Sequence, residues 1–298
     1  MEGNGTVTEL RGTDLADNIT GSSAEYERFI LEQGNDTLDG GDGWDVLRYD
    51  RTGVDAIVAD MAGGLVTGTW DGAAFTHSIS DIEELRGSSR NDNISAAGLT
   101  TNVELAGWLG DDTMTGGAGD DFFYDRYGDN SVTGGAGEDY FDLAEGDHQI
   151  DGGADFDSFE INDNSSDQLQ VTWTGEGAST MQGRATGGEI FYTAEARNLE
   201  RIVLDFNGIA TLTGDDSDNI VSLRLLPDSF DFTGGGGQDE LQMHLLSLSG
   251  DTSLGLTRAE FSTRFALLAE GTGYQIVSQA DSGVVLGTID GVETIRLP

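Results

Sequence analysis

The chain has 298 residues, and its 55 acidic and 14 basic side chains give it a formal net charge of −41. This charge repels phosphate backbones and anionic lipids, so the composition excludes nucleic acid and argues against an anionic membrane as a partner. There is no cysteine, which excludes a disulfide framework and zinc–thiolate sites. No apolar run approaches transmembrane length, which argues against membrane insertion, and the first residues do not begin a signal peptide.

Three unequal cycles of one plan follow one another along the chain. Each cycle is a Gly- and Asp-rich array followed by a module without Gly-Asp turns. The segment ELRG begins at Glu9 and recurs at Glu84, and a later Asp-Asn-Ile run begins at Asp17, Asp92 and Asp218. The predicted domains, each an array plus a β module, are therefore 1–86, 87–212 and 213–298.

The first cycle contains one complete nine-residue row, GGDGWDVLR, at 40–48. From Tyr49 to Leu85 apolar and polar residues then alternate around Gly-rich turns. This pattern predicts antiparallel or capping β-strands, and a similar pattern from Leu169 to Ile202 predicts a second module of the same kind.

The second cycle opens with six rows of nine residues, from 107 to 160, without insertion or deletion. The rows read GWLGDDTMT, GGAGDDFFY, DRYGDNSVT, GGAGEDYFD, LAEGDHQID and GGADFDSFE. Position four is Gly in five rows and Asp155 in the sixth, and position eight is always apolar. Position six is Asp112, Asp121, Asn130, Asp139, His148 and Asp157.

Each row predicts a turn followed by a short strand. Glycines permit backbone angles that a Cβ forbids, so the first six residues form a tight turn whose carbonyls can point inward beside the Asp carboxylate. Oxygen ligands of this kind suit a hard cation such as Ca²⁺, which takes six to eight of them. The last three residues form a strand whose position-eight side chain faces the interior.

These rows resemble the calcium-binding repeat of the RTX (repeats-in-toxin) family, the haemolysin-type calcium-binding proteins. The resemblance implies a parallel β-roll in which successive rows supply turns on alternate sides. It also implies export by a type I secretion system, to the extracellular space or the cell surface, and Ca²⁺ that is structural. We therefore expect an all-β fold, a parallel β-roll or β-solenoid of Gly-Asp-rich nonapeptides interrupted by antiparallel β modules.

Turns on alternate sides place rows eighteen residues apart in two columns. One column holds Asp121, Asp139 and Asp157; the other begins with Asp112 and continues with Asn130 and His148. Two carboxylates about 5 Å apart repel by about 3 kcal/mol at an effective dielectric near 20, and a cation between them converts this cost into attraction. We expect Ca²⁺ on both sides of Asp139, and weak or no binding in the second column. Gly-Asp turns without any metal are the alternative, chiefly for the second column.

The predicted calcium ligands are position-six carboxylates and the backbone at positions one and three. They are Asp36, Gly40, Asp42, Asp45, Asp112, Gly116, Ala118, Asp121, Gly134, Ala136, Asp139, Gly152, Ala154, Asp157, Gly234, Gly236 and Asp239. The last three belong to the third cycle, whose module continues to the C-terminus. Within that module, residues 257–271 are the least interrupted by Gly and predict a short helix.

The sequence shows no catalytic motif, and we do not expect an enzyme. His77 and His244 are each expected to be a structural or surface residue and not a ligand, and His148 occupies a position that is Asp in most rows. The zinc spacing HExxH, a G-x-S-x-G sequence and a Walker sequence are all absent. An alternative is a polysaccharide-modifying β-helix enzyme, lyase-like or epimerase-like, or its calcium-binding module, but the basic residues are scattered rather than clustered for uronate binding.

A ligand surface is also predicted. Phe122 and Tyr140 stand at the outward position seven of stacked rows, and Trp44 at position five. Exposed stacked aromatics suit an extracellular glycan or a partner protein, as in an adhesin; the alternative is that a module loop covers them. The chain begins and ends at nearly the same phase of its cycle, so two interpretations stay open: a fragment of a longer repeat protein, or a chain that self-associates end to end.

Overall fold

The computed structural model describes residues 8–23, 25–161, 168–175, 178–184, 190–205, 208–224, 229–243, 265–270, 273–278, 284–290, 292 and 294–296. Every regular secondary-structure element in these ranges is a β-strand, which confirms the all-β prediction. The 28 strands form two largely parallel sheets, sheet A with 12 strands and sheet B with 16. Within the same ranges no helix is long and apolar enough to cross a membrane.

The chain divides into two compact units, residues 1–143 with 153–155, and residues 144–152 with 156–298. The strands of the first unit are β1 (Thr8–Arg11), β2 (Asn18–Thr20), β3 (Tyr26–Ile30), β4 (Thr37–Asp39), β5 (Trp44–Arg48), β6 (Val58–Asp60), β7 (Leu65–Trp70), β8 (Ala73–Ser80), β9 (Glu84–Arg86), β10 (Asn93–Ser95), β11 (Glu104–Ala106), β12 (Thr113–Thr115), β13 (Phe122–Tyr127) and β14 (Ser131–Ala136). Strand β15 (Tyr140–Ala154) has residues in both units.

The remaining strands belong to the second unit. They are β16 (Ser158–Ile161), β17 (Gln168–Gly175), β18 (Ala178–Arg184), β19 (Ile190–Arg197), β20 (Arg201–Leu204), β21 (Ile209–Thr213), β22 (Ile220–Leu223), β23 (Ser229–Thr233), β24 (Glu240–Met243), β25 (Phe265–Glu270), β26 (Gly273–Ser278), β27 (Val284–Asp290) and β28 (Thr294–Arg296).

Successive strands of an array alternate between the two sheets, and each pairs in parallel with the next strand but one. In sheet A, β11 pairs with β13 and sets Leu105 opposite Phe123. In sheet B, β12 pairs with β14 and sets Met114 opposite Val132. The eighteen-residue stacking predicted from the six rows is therefore confirmed in the first unit.

Apolar side chains at position eight form the core. The six from Met114 to Phe159 are each no more than 3% exposed. Phe123 and Phe141 stack with ring centroids 5.0 Å apart and planes 7° from parallel. Burial of each such side chain contributes about 1.5–3 kcal/mol, so strands of only three residues can persist when their central residue joins this ladder.

The predicted modules contain antiparallel strands. In the first module β6, β7 and β8 form an antiparallel meander. The outer strands of this meander pair in parallel with the arrays, β8 with β4 and β6 with β10. Strands β17 to β19 and β25 to β27 form two further meanders in the second unit.

Two local predictions are wrong. Residues Phe265–Glu270 of the predicted helix form β25, whose antiparallel pairing with β26 overrides local helix propensity; residues 257–264, residue 271 and His244 lie outside the described residues. The six-residue turn is also too long for some rows. Positions one to three are strand in β14, which includes Gly134 and Ala136, and in β15, which includes Gly152 and Ala154.

In five of the six rows position four has a positive φ, which L-residues rarely adopt. Gly128 has φ +98°, and a Cβ there would overlap the carbonyl oxygen of Gly110 in the stacked row. Asp155, which replaces Gly in the last row, keeps a φ of 81°. Close approach between stacked turns therefore adds to the conformational reason for glycine.

Replacing Gly128 by Ala should cost at least twice as much stability as replacing Gly72 by Ala. Gly72 has a φ of +79° with no atom within 4 Å of a Cβ, so its substitution measures backbone strain alone, about 1 kcal/mol. The Gly128 substitution adds the overlap with Gly110. Chemical denaturation of both variants measures the difference, and equal losses would contradict close packing between turns.

Candidate metal centre

In several rows the side chain at position six joins the row to the one stacked before it by a hydrogen bond. Oδ1 of Asp121 accepts the N–H of Val103 at 2.9 Å, and Oδ1 of Asp139 accepts the N–H of Asp121 at 2.8 Å. In the second column Oδ1 of Asp112 accepts the N–H of Asp92 at 2.7 Å. In the second unit Oδ1 of Asp239 accepts the N–H of Asn219 at 2.9 Å. A hydrogen bond to a charged acceptor contributes about 1.5–3 kcal/mol.

In two of these turns the second carboxylate oxygen accepts a hydrogen bond from its own row. Oδ2 of Asp121 accepts the N–H of Gly117 at 2.6 Å, and Oδ2 of Asp92 accepts that of Ser88 at 2.5 Å. Next to Oδ2 of Asp121 lies the carbonyl oxygen of Gly134, and both would overlap a Cβ on Gly116. The absence of a side chain at position one therefore lets oxygens of two stacked rows converge.

Asp45 lacks the compensating donors that these carboxylates have. It is 0% exposed, and neither Oδ1 nor Oδ2 has a hydrogen-bond partner in the described structure. Burial, followed by the charges of Glu83, Glu27, Asp81 and Asp39, raises the pKa of Asp45 to about 7. Desolvated carboxylates repel one another, and either a proton or a bound cation would relieve that repulsion.

A second site with uncompensated oxygens lies in the other column. Oδ2 of Asp112 and Oδ2 of Asp125 are buried without a donor, and both would overlap a Cβ on Gly107. Burial raises the pKa of both carboxyls, and the neighbouring Asp125 charge raises that of Asp112 further.

The predicted ligands at positions one and three have varied surroundings. Gly40 O approaches Gly21 beside Glu27, and Gly234 O approaches Gly214 beside Asn219, as Gly134 O does at Gly116. Gly152 adjoins Oδ2 of Asp157 and the carbonyl of Asn198.

The residues at position three take part in backbone pairing or face solvent. The N–H groups of Ala118, Ala136 and Gly236 donate to the carbonyls of Leu99, Gly117 and Asp215, respectively. The Asp42 side chain is exposed. Asp157 is fully buried, and Glu200 accepts its N–H at 2.8 Å.

Asp36 has an alternative partner within the protein. Its Oδ1 accepts the N–H of Asp17 at 2.8 Å, and its Oδ2 lies 3.2 Å from Nε2 of His77. Nδ1 of His77 is 2.8 Å from the Tyr49 hydroxyl, and all three side chains are buried. Burial lowers the pKa of His77 to about 4, so the imidazole is neutral, and Oδ2 of Asp36 is a further buried carboxylate oxygen without a hydrogen-bond donor.

Several acidic residues near these turns were not predicted from the sequence. Glu27 lies opposite Asp45, and Glu83 and Glu200 accept the N–H groups of Asp45 and Asp157. The last two glutamates lie in similar segments that close two modules, IEEL and LERI, which was an available signal. Asp125 was visible as a charged residue where rows two, four and six have Gly.

No group of three or more His, Asp or Glu side chains that could by itself hold a metal occurs in the described ranges. A cation at these positions therefore requires carboxylates from one or two residues completed by backbone carbonyls or water. Such mixed oxygen sets are compatible with Ca²⁺, which accepts carbonyl and water ligands in flexible geometry.

The aromatic residues predicted to form a ligand surface lie in the first unit. Phe122 and Tyr140 stack with ring centroids 5.4 Å apart and planes 11° from parallel, and both are half-buried. Trp44 is also half-buried, and its indole N–H donates to Glu84 at 3.4 Å. Ser158, the next residue of the position-seven series, is only 6% exposed.

Comparison with known proteins adds no relative: no family model matches the chain, and no curated protein sequence matches it significantly.

Without metal, the protein should lose stability as the pH rises. Burial raises the pKa of Asp45 to about 7 and of Asp92 to about 6, from usual values of 3.8. From about pH 4 to about pH 7 the folded chain then holds protons that the unfolded chain has released, so the free energy of unfolding falls with rising pH. In EDTA, circular dichroism should show more β-structure and a higher Tm near pH 5 than at neutral pH. The opposite slope would show that these carboxyls are compensated within the fold.

Proposed function

We propose that the chain is a secreted calcium-binding protein, or a segment of one, in which structural Ca²⁺ drives folding of a parallel β-roll outside the cell. The observation that supports this most directly is Asp45, a fully buried carboxylate without a donor and with four acidic neighbours. The repeated Gly-Asp rows extend the same chemistry along the chain.

Calcium stabilises such a fold because it binds the folded turns and not the dispersed carboxylates. An uncompensated buried charge costs several kcal/mol, which is a large fraction of the stability of a domain. Binding offsets this cost by RT ln(1 + [Ca²⁺]/Kd), about 4 kcal/mol at a thousand times Kd. Millimolar extracellular calcium then favours the folded chain, and low cytosolic calcium leaves it loose for export through a type I system.

The first column offers a second set of sites under this proposal. Asp121 and Asp139 are joined through the Asp121 amide, and the Gly134 carbonyl lies beside Oδ2 of Asp121. An ion between these turns would be held by carboxylates of both rows and by position-one carbonyls. Mg²⁺ is the poorer fit, because it requires near-octahedral geometry and keeps much of its water.

A calcium titration of the metal-free protein tests the proposal. Far-UV circular dichroism and tryptophan emission should show a cooperative gain of β-structure with Ca²⁺, and much less with Mg²⁺ at the same concentration. A protein that is already folded in chelator and indifferent to Ca²⁺ would exclude calcium-driven folding.

The substitution Asp45→Asn should stabilise the metal-free protein and weaken calcium binding. Without calcium it removes a buried charge, so Tm in EDTA should rise by the equivalent of about 1–3 kcal/mol. With calcium it removes a ligand, so equilibrium dialysis should find fewer ions bound per chain. Asp42→Asn is the matched control, because it makes the same charge change on an exposed side chain of the same turn and leaves unchanged the backbone carbonyl that is the predicted ligand at position 42. Identical behaviour of the two variants would remove Asp45 as a ligand.

A second candidate function is glycan binding by the Phe122–Tyr140 stack. Two half-exposed parallel rings on adjacent strands form a platform on which sugar rings can lie, and Tyr124, with Arg126 5.0 Å from its ring centre, adjoins them. The net charge of −41 favours neutral over acidic polysaccharides.

Affinity electrophoresis in soluble neutral polysaccharides, with calcium present, tests this candidate. Phe122→Ala and Tyr140→Ala should each weaken retardation at least several-fold, whereas Tyr127→Ala should not, because Tyr127 is 50% exposed but outside the stack. Retardation that is absent in the wild-type protein, or equal in all three variants, would eliminate the stack as a glycan site.

A further inference from the structure

Asp125 occupies position one of the third row, where most rows of this regular array have glycine. In three other stacked pairs the residue that approaches a position-one glycine from the next row is itself glycine and presents its backbone carbonyl, and at Gly40 and Gly152 the approaching carbonyl belongs to Asp81 and Asn198. Gly107 O approaches Gly87 in this way, Gly134 O approaches Gly116, and Gly234 O approaches Gly214. At Gly107 the approaching residue is Asp125, which presents a carboxylate oxygen instead.

Asp112 also departs from its neighbours in how its second oxygen is used. Oδ2 of Asp92 and of Asp121 each accepts an N–H from four residues earlier in the chain. The corresponding residue for Asp112 is Trp108, whose φ of 85° is unusual for a bulky side chain, and Oδ2 of Asp112 has no donor. Oδ2 of Asp112 therefore faces Oδ2 of Asp125 with its acceptor capacity unused.

The two oxygens are buried and close enough to share one ion. Asp112 and Asp125 are each 1% exposed. Both Oδ2 atoms lie close to the position that a Cβ on Gly107 would occupy, and their two distances to that position limit how far apart the oxygens can be. This limit is shorter than twice a calcium–oxygen bond length of about 2.3 Å. One cation can therefore contact both at ordinary bond lengths.

Other contacts hold the two carboxylates in place. Oδ1 of Asp112 accepts the Asp92 N–H at 2.7 Å, and Oδ1 of Asp125 accepts the Tyr127 N–H at 3.3 Å. Each Oδ2 is thus left for the other carboxylate, and only a proton or a cation between them turns their repulsion into attraction.

We propose that Asp112 and Asp125 bind one divalent hard cation between them, at Gly107. This site lies in the column where the sequence, with Asn130 and His148 at position six, predicts weak or no binding. It rests on the proposed calcium function and adds a ligand from position one, so that this side of the array carries a cation site that the row pattern does not encode.

Asp125→Gly is the most direct test, because it installs the residue that rows two, four and six have at position one. Equilibrium dialysis with Ca²⁺ should find one ion fewer per chain than in the wild type. Asp129→Asn is the matched control, since it removes an exposed charge in the same row and should leave the stoichiometry unchanged.

Terbium luminescence gives an independent readout of the same site. Trp108 follows Gly107 directly, so excitation of its indole should sensitise a Tb³⁺ ion bound between Asp112 and Asp125 at short range. Trp108→Phe and Asp125→Gly should each remove the same component of the emission. Asp125→Asn, which keeps the shape of the side chain, should also lose it and serves if the glycine variant fails to fold.

The outcomes separate this inference from the calcium function. If the wild type binds no Ca²⁺, both fail. If the wild type binds Ca²⁺ but Asp125→Gly and Asp125→Asn bind the same number of ions and keep the Trp108-sensitised emission, the calcium function stands and the carboxyls share only a proton. Loss of one ion together with that emission, with Asp129→Asn unchanged, supports the site.

Discussion

The hydrogen bond from a backbone N–H to the position-six carboxylate of the next stacked row is the interaction on which the arrays depend. It joins Asp92 to Asp112, Asp121 to Asp139 and Asn219 to Asp239. Because the acceptor is a short side chain, the bond fixes the register of the turns, and in each row whose position six is Asp it also places a buried carboxylate in the turn. The stability of stacking and the accumulation of charge are therefore one feature of the sequence, and a fold with more rows requires more counterions.

Glycine at position one decides how that charge can be compensated. Without a Cβ the carboxylate of one row and the carbonyl of the next approach the same point, as Asp121 and Gly134 do beside Gly116. Where a backbone donor also reaches the carboxylate, the turn is compensated in part by the protein itself. Where donors are missing, as at Asp45, the proposed function makes the turn dependent on an external cation, so under that proposal calcium dependence should be concentrated at particular turns and not spread evenly over the arrays.

The sequence predicted what is periodic and missed what depends on a single neighbour. Position eight as core and the eighteen-residue stacking follow from spacing, and both are confirmed by the burial of Phe123 and by the register of β12 with β14. The strand at Phe265–Glu270 was missed because its partner strand decides it. The sequence did not single out Asp125 because its proposed role arises from Asp112, thirteen residues earlier, whose second oxygen lacks the donor that Asp92 and Asp121 have.

The first antiparallel meander is attached to one sheet only. Sheet A passes directly from β5 to β9, whereas sheet B passes from β4 through β8, β7 and β6 to β10. Along the chain the three strands of the meander stand between β5 and β9, where a regular array has a single sheet-B strand. Because their number is odd, the chain leaves the meander in the direction in which it entered. A gene can therefore gain or lose such a segment without shifting the pairing of the opposite sheet, which makes the meander a natural unit for length variation between arrays.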